Sequence, residues 1–232
     1  VNELAVVMGS SVPPGPPSLT LTMQLYLDQL RAAGIESHIY TLRDIPTEGG
    51  IPWPLWYYIK CYREIVNEFQ RYERLIITNA WDVTFYGNRE DVIRKIPMDL
   101  CLVGAGRESW PDCSLRDRTP GDTPWKFSNG GLTAGTPENI LKMVDALEKH
   151  PRYEPGMWDQ GMLNIVLAYG PKLFHLDSRT ELFFCLFDGY SELDFERGMP
   201  VNTLCGTRPC FIHANGRWDT TELYEKRERS LR

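Results

Sequence analysis

The stretch Leu75 to Tyr86, LIITNAWDVTFY, constrains this chain more than any other. Its apolar run Leu75-Ile76-Ile77 predicts a buried strand, and the strand ends on Thr78, Asn79 and Asp82 with Trp81 between them. Polar groups at the carboxyl end of a buried strand in an α/β protein sit where ligands bind. Asn79 and Asp82 stand three apart, so a turn after the strand can bring an amide and a carboxylate to one small cation, while Trp81 offers a flat face to a base or sugar. Oxygen ligands of this kind suit a hard ion such as Mg²⁺ or Mn²⁺, whose remaining ligands are commonly phosphates. Asn and Asp are also ordinary turn residues, so the stretch alone leaves a plain strand and turn open.

The surrounding pattern predicts the frame. Glu3 to Met8 reads as a buried first strand, followed by a proline-rich loop from Pro13 to Pro17. Leu19, Met23, Tyr26, Leu27 and Leu30 then form one helical stripe, with Gly34 where a helix stops and Ile35 to Tyr40 as a second strand. This β-loop-α-β opening begins a parallel sheet. A second helical stripe from Leu55 to Phe69 leads into the Leu75 strand, and Lys60 on it is a solvated residue or a phosphate contact. Further on, Arg89 to Ile96 reads as a helix and Cys101 to Val103 as a strand. Gly104-Ala105-Gly106 imitates the start of a dinucleotide loop but lacks its third glycine. Arg107 to Thr123 has no periodicity and reads as a long loop. In Phe127 to Gly135 the paired Gly130 and Gly131 allow a backbone to come close to a ligand. Thr136-Pro137-Glu138 starts a helix, Asp159 precedes another over Met162 to Ala168, and Lys172 to Leu176, Leu182 to Phe187 and Phe211 to His213 read as strands.

Composition narrows the class. With 232 residues, 42% hydrophobic and 24% charged, the chain is expected to form one globular domain. A net charge of −6 leaves nucleic-acid binding to a local patch, the strongest being Lys226, Arg227, Arg229 and Arg232 in a tail expected to be a solvated terminus. No stretch approaches a membrane span, and the N-terminus lacks a secretory pattern. The six cysteines form no CxxC pair. Cys205, Cys210 and His213 lie within nine residues and offer zinc three soft ligands if a fourth comes from elsewhere.

Taken together and in order, these clusters resemble the glycosyltransferase domain of the procollagen lysyl hydroxylases. The resemblance covers about Leu75 to Gly216; the first 70 residues match only in layout. Asn79-Ala80-Trp81-Asp82 resembles the family's Asp-x-x-Asp metal motif, and Ala105 with Trp110-Pro111-Asp112 its Ala-Glu-x-x-x-Trp-Pro-Asp stretch. Phe127 to Gly135 resembles Asn-Ser-Gly-Gly-x-x-Gly, Trp158-Asp159-Gln160 resembles Asp-Asp-Gln, and His213-Ala214-Asn215-Gly216 resembles His-Gly-Asn-Gly. Leu176-Asp177 with Arg179, then Glu181 to Leu186, follow the family's next strand.

What the resemblance implies is a GT-A, Rossmann-like α/β fold: a mixed, mostly parallel sheet flanked by helices. Residues 1–80 would form a nucleotide-binding half, 81–216 a metal and acceptor half, and 217–232 a tail. The implied activity is hexose transfer from a UDP-sugar, with Mn²⁺ or Mg²⁺, to a hydroxyl acceptor, either a hydroxylysine-like protein group or a hydroxymethylated DNA base. Asp82 and His213 would bind the metal and Asp159 would stand at the acceptor hydroxyl. Asn79, Trp81, Gly130, Gly131, Asn215 and Gly216 would hold the donor, and Trp110, Trp158 and Gln160 would line the acceptor pocket, with Trp125 a further wall if the acceptor is a base. Two residues depart from the pattern: Asn79 removes one negative charge from the metal motif and Trp158 removes one acid from Asp-Asp-Gln. The chain stops near the end of the transferase unit, so a stand-alone transferase is expected, with a non-catalytic nucleotide-sugar-binding relative as the alternative.

Overall fold

A computed structural model describes residues 2–10, 17–41, 58–108, 122–153, 159–170, 172–187, 191–215 and 220–232, with backbone alone at 10, 17–20, 41, 58–60 and 159. Its centre is a six-stranded sheet in the order β2-β1-β3-β6-β5-β7. These strands are β1 (Asn2–Ser10), β2 (Glu36–Thr41), β3 (Tyr72–Asn79), β5 (Cys101–Gly106), β6 (Phe127–Gly135) and β7 (Phe174–Leu176). β2, β1 and β3 pair in parallel, as do β5 and β7, while β6 runs antiparallel to both of its neighbours. The mixed, mostly parallel sheet expected from the sequence is therefore present.

Strand alternation decides which residues meet which layer. Ala5, Val7, Leu75, Ile77, Cys101 and Val103 face helices α2 (Tyr58–Phe69), α4 (Pro137–Glu148) and α5 (Asp159–Tyr169). Leu4, Val6, Met8, Ile76 and Leu102 face the other way, onto Tyr26 and Leu30 of α1 (Pro17–Ala32). The same layer contains a second sheet in which β11 (Phe211–His213) lies between β4 (Val83–Phe85), antiparallel, and β8 (Phe183–Cys185), parallel. Full burial of side chains such as these contributes roughly 1.5–3 kcal/mol each.

Local signals start the helices. Thr136 caps α4 by accepting from the Asn139 N–H, with Pro137 in the first turn, and Asn88 caps α3 (Arg89–Lys95) by accepting from the Asp91 N–H. α1 buries Thr22, Tyr26 and Leu30, four residues apart.

Several segments differ from the sequence expectation. Gly104-Ala105-Gly106 is the second half of β5, not a loop, and Phe127 to Gly135 is a full strand despite its glycines. The expected frayed tail is helix α6 (Thr220–Ser230), docked through buried Leu223 and a 2.8 Å hydrogen bond between the Thr220 and Thr22 hydroxyls. It packs on a hairpin of β9 (Leu193–Glu196) and β10 (Met199–Asn202). No helix among the described residues is long and apolar enough to cross a membrane.

Candidate functional site

The two sheets bring their strand ends to one place. β3 ends at Asn79, and the turn after it presents Asp82 before the chain enters β4. β6 enters the central sheet beside β3 in the opposite sense, with Thr78 opposite Leu132, so Gly131 comes level with Asn79. β11 ends at His213, between Val83 of β4 and Cys185 of β8. An N–H···O bond of 2.8 Å from Ala214 to the Asp82 carbonyl ties the two turns together.

Their side chains converge on His213, which is buried. Nε2 lies 2.9 Å from Oδ2 of Asp82 and 3.1 Å from the Asn79 amide. Nδ1 lies 3.0 Å from Oδ1 of Asn129, and that oxygen also accepts from the Gly131 N–H at 3.1 Å. Because the Asn129 oxygen is an acceptor, Nδ1 carries a proton, and Nε2 faces the Asp82 carboxylate either as a second donor or, with its lone pair free, as a ligand for a cation held between the two.

A divalent ion fits there. In octahedral coordination with bonds of about 2.0–2.1 Å, neighbouring ligand atoms stand about 3.0 Å apart. Asp82 Oδ2 and His213 Nε2 have that spacing, which also suits a shared proton, while Asn79 presents its amide nitrogen and would have to turn its oxygen inward to join them. Among the described residues no three His, Cys, Asp or Glu side chains gather at one point, so this chain offers one carboxylate, one imidazole and one neutral amide. The suggested zinc trio does not form. Cys210 sits 3.5 Å from the Lys95 ammonium, and Cys205 packs in a different part of the core.

Gly131 also makes room inside the protein itself. A Cβ on Gly131 would stand 2.6 Å from Cε1 of His213 and 3.0 Å from the Asn79 amide. Gly131 therefore makes room for the imidazole and the amide. Gly130 is held through its carbonyl by the Tyr62 hydroxyl at 2.6 Å, and its N–H reaches Oε1 of Gln160 at 3.5 Å. Gln160, in the first turn of α5, thus lies beside the glycine pair.

The other expected residues fall as follows. Asn215 adopts φ 55°, the left-handed region that Asn tolerates better than most residues. Its side-chain oxygen accepts from Asn129 at 2.8 Å and its amide donates to the Leu186 carbonyl. Trp81 packs partly buried against the core, and its indole N–H is buried with no partner among the described residues. Asp159 begins α5, next to Gln160, with its backbone alone described. Trp110, Trp158 and Gly216 lie outside the described residues, and so does most of the 107–123 loop. Trp125 is fully buried, donates to the Cys185 carbonyl and packs against Phe184, which removes it as a pocket wall. Asn129 is a member of the cluster that sequence reasoning passed over.

A mixed sheet of this order, with polar residues at the ends of β3 and β6 and an Asp–His pair beside them, fits the GT-A fold, and the family match below makes the chain a glycosyltransferase domain of that class. The chain belongs to the PLOD GT domain family, whose family model matches residues 56–223. Among solved structures it is similar to a glycosyltransferase involved in the glycosylation of the major capsid of PBCV-1, with a TM-score of 0.54 and 14% identity over 97% of this chain and 99% of that one. It is also similar to the bifunctional glycosyltransferase WbbM, with a TM-score of 0.54 and 10% identity over 99% of this chain and 50% of that one, so it spans half of WbbM. Comparison with curated protein sequences finds no significant match.

Proposed function

We propose that this chain transfers a hexose from a UDP-sugar to a hydroxyl acceptor with the help of Mn²⁺ or Mg²⁺. The observation that carries the reading is the convergence of Asp82, His213 and Asn79 at the strand ends of a GT-A sheet. Asp82 and His213 would hold the ion, with the Asn79 oxygen turned toward it. The ion's contribution would be to neutralise the charge that builds on the departing diphosphate.

The chain's own residues would do the rest. Gly130 and Gly131 would shape the floor below the donor, with Asn215 bordering it and Gly216 following in the sequence. Trp81, half-buried at the strand end, would lie against the uridine through its exposed part. Asp159, at the start of α5, would take the acceptor proton or stabilise positive charge at the anomeric carbon. Gln160, Trp110 and Trp158 would border the acceptor. The net charge of −6 and the burial of Trp125 favour a protein hydroxyl over a DNA base.

A second reading has one observation in its favour. Asn79 leaves the metal cluster with one formal negative charge, as in a relative that binds nucleotide sugars without turning them over. UDP release separates the two. With Mn²⁺ and UDP-glucose or UDP-galactose, the transferase reading expects UDP to be liberated, faster with a hydroxylysine-containing peptide than without. Nucleotide binding with no UDP released from either sugar would leave the non-catalytic reading standing, and faster release with hydroxymethylated DNA would move the acceptor to nucleic acid.

A further inference from the structure

Asn129 is 7% exposed and lies in the middle of a chain of hydrogen bonds whose direction is fixed at both ends. At one end Asn215 donates its amide to the Leu186 carbonyl, which can only accept. The Asn215 oxygen must then face Asn129, and it accepts from the Asn129 amide at 2.8 Å. At the other end the Gly131 N–H, which can only donate, reaches the Asn129 oxygen at 3.1 Å. Neither amide can flip without setting donor against donor or acceptor against acceptor. The Asn129 oxygen that remains faces Nδ1 of His213 at 3.0 Å.

We propose that Asn129 is the positioning residue that keeps the proton on Nδ1 of His213, so that Nε2 is presented, unprotonated and correctly aimed, to the cation shared with Asp82. The inference rests on the metal-dependent reading for its consequence but not for its geometry. Asp82 pulls the ring proton toward Nε2 from the other side. In the neutral ring the locked Asn129 oxygen opposes that pull, because moving the single proton to Nε2 would leave two lone pairs facing each other at Nδ1. Ligating histidines characteristically donate their second N–H to an acceptor of this kind, and losing that acceptor costs about 10–100-fold in metal affinity. Asn215, whose side chain is engaged at both ends, supports Asn129 and reaches the cation only through it.

Two measurements test this. Nitrogen-15 NMR of the neutral His213 ring in the metal-free chain should find the proton on Nδ1 in the native protein and lose that preference in Asn129→Leu. Electron paramagnetic resonance of Mn²⁺ titrated in the presence of UDP should show affinity falling about 10–100-fold in Asn129→Leu. Asn129→Asp, which keeps an oxygen on Nδ1 and on the Gly131 N–H but sets its second oxygen against that of Asn215, should retain the tautomer even where it lowers stability. Asn215→Gly, whose backbone tolerates φ 55°, removes the support of the Asn129 amide and offers the tautomer reading if Asn129→Leu does not fold. A native ring protonated on Nε2, or a leucine variant with native Mn²⁺ affinity, would overturn the proposal. If the native chain binds no Mn²⁺ with UDP, the donor-site reading fails while the tautomer result still decides the role of Asn129.

Discussion

Alanine at Gly131 is expected to leave the chain folded and to abolish the metal-dependent nucleotide binding proposed for it. The added Cβ would meet Cε1 of His213 at 2.6 Å, Nε2 at 3.1 Å and the Asn79 amide at 3.0 Å. His213 cannot give way, since Asp82, Asn79 and Asn129 grip it from both sides of the ring. The imidazole and the amide must therefore move together, and misplacing a reacting assembly by about 1 Å costs on the order of 10²-fold in rate. Gly104→Ala is the matched control. Its Cβ would stand 2.8 Å from Cβ of Leu132, in the core between β5 and β6. Overpacking there should cost about 1–3 kcal/mol of stability and leave nucleotide binding in place. Melting curves and UDP titrations of the two variants separate the roles; a Gly131→Ala chain that binds UDP and metal as the native does would refute this account of the glycine.

Asp177→Ala should be the most destabilising single change outside the site. The Asp177 carboxylate, 4% exposed, accepts the N–H groups of Glu181, Leu182 and Phe183 at 2.8, 2.9 and 2.8 Å. It thereby holds the entrance to β8, whose pairing with β11 positions His213. Burial pushes the Asp177 carboxyl above the ordinary carboxylate range, and the three N–H bonds oppose that shift. Removing the acceptor leaves three donors unsatisfied at about 1–3 kcal/mol each, in all about 3–5 kcal/mol once water reaches some of them. For a chain of this length that lowers the melting temperature by roughly 10 °C. Asp177→Asn keeps one oxygen and should lose about 1–3 kcal/mol. Urea unfolding of the three chains reads the series, and an alanine variant within about 1 kcal/mol of native would show that the carboxylate is not what holds β8.

The frame was legible in the sequence wherever periodicity was strong. The Leu75 strand, the Tyr26–Leu30 stripe and the Ile140–Leu147 helix all fall where their patterns put them, because each buries one face against the sheet. The nearness of Asp82 to His213 was legible only through the order of the motif clusters, since Asp is also an ordinary turn residue; the two side chains lie 2.9 Å apart.

Elsewhere the sequence carried no such signal. β6 was hidden because Gly130, Gly131 and Gly135 mask a strand whose pairing is supplied by β3 and β5. Gly131 looked like ligand space, whereas the imbalance it relieves is with a side chain eighty-two positions away, and only the fold brings the two together. Asn129 was passed over for the same reason: every partner that fixes its amide except Gly131 is distant in the chain. A signal was nevertheless available in the amide placed directly before paired glycines, and in a second amide two residues after the ligand histidine. The α6 helix was read as a tail because its charge pattern is that of a solvated face, and its docking rests on a few residues, among them Leu223, Thr220, Tyr224 and Ser230.

The central claim is that Asp82 and His213 form a cation site completed by a nucleoside diphosphate. The direct test is the melting temperature of the native chain, Asp82→Ala and His213→Ala with UDP, with Mn²⁺, and with both. A ligand at about 100 times its dissociation constant stabilises by about 2.7 kcal/mol, which for a chain of this length is a rise of roughly 5–10 °C. The account expects that rise only when UDP and Mn²⁺ are present together, and only in the native chain. An equal rise with UDP alone, or one that survives both substitutions, would contradict it.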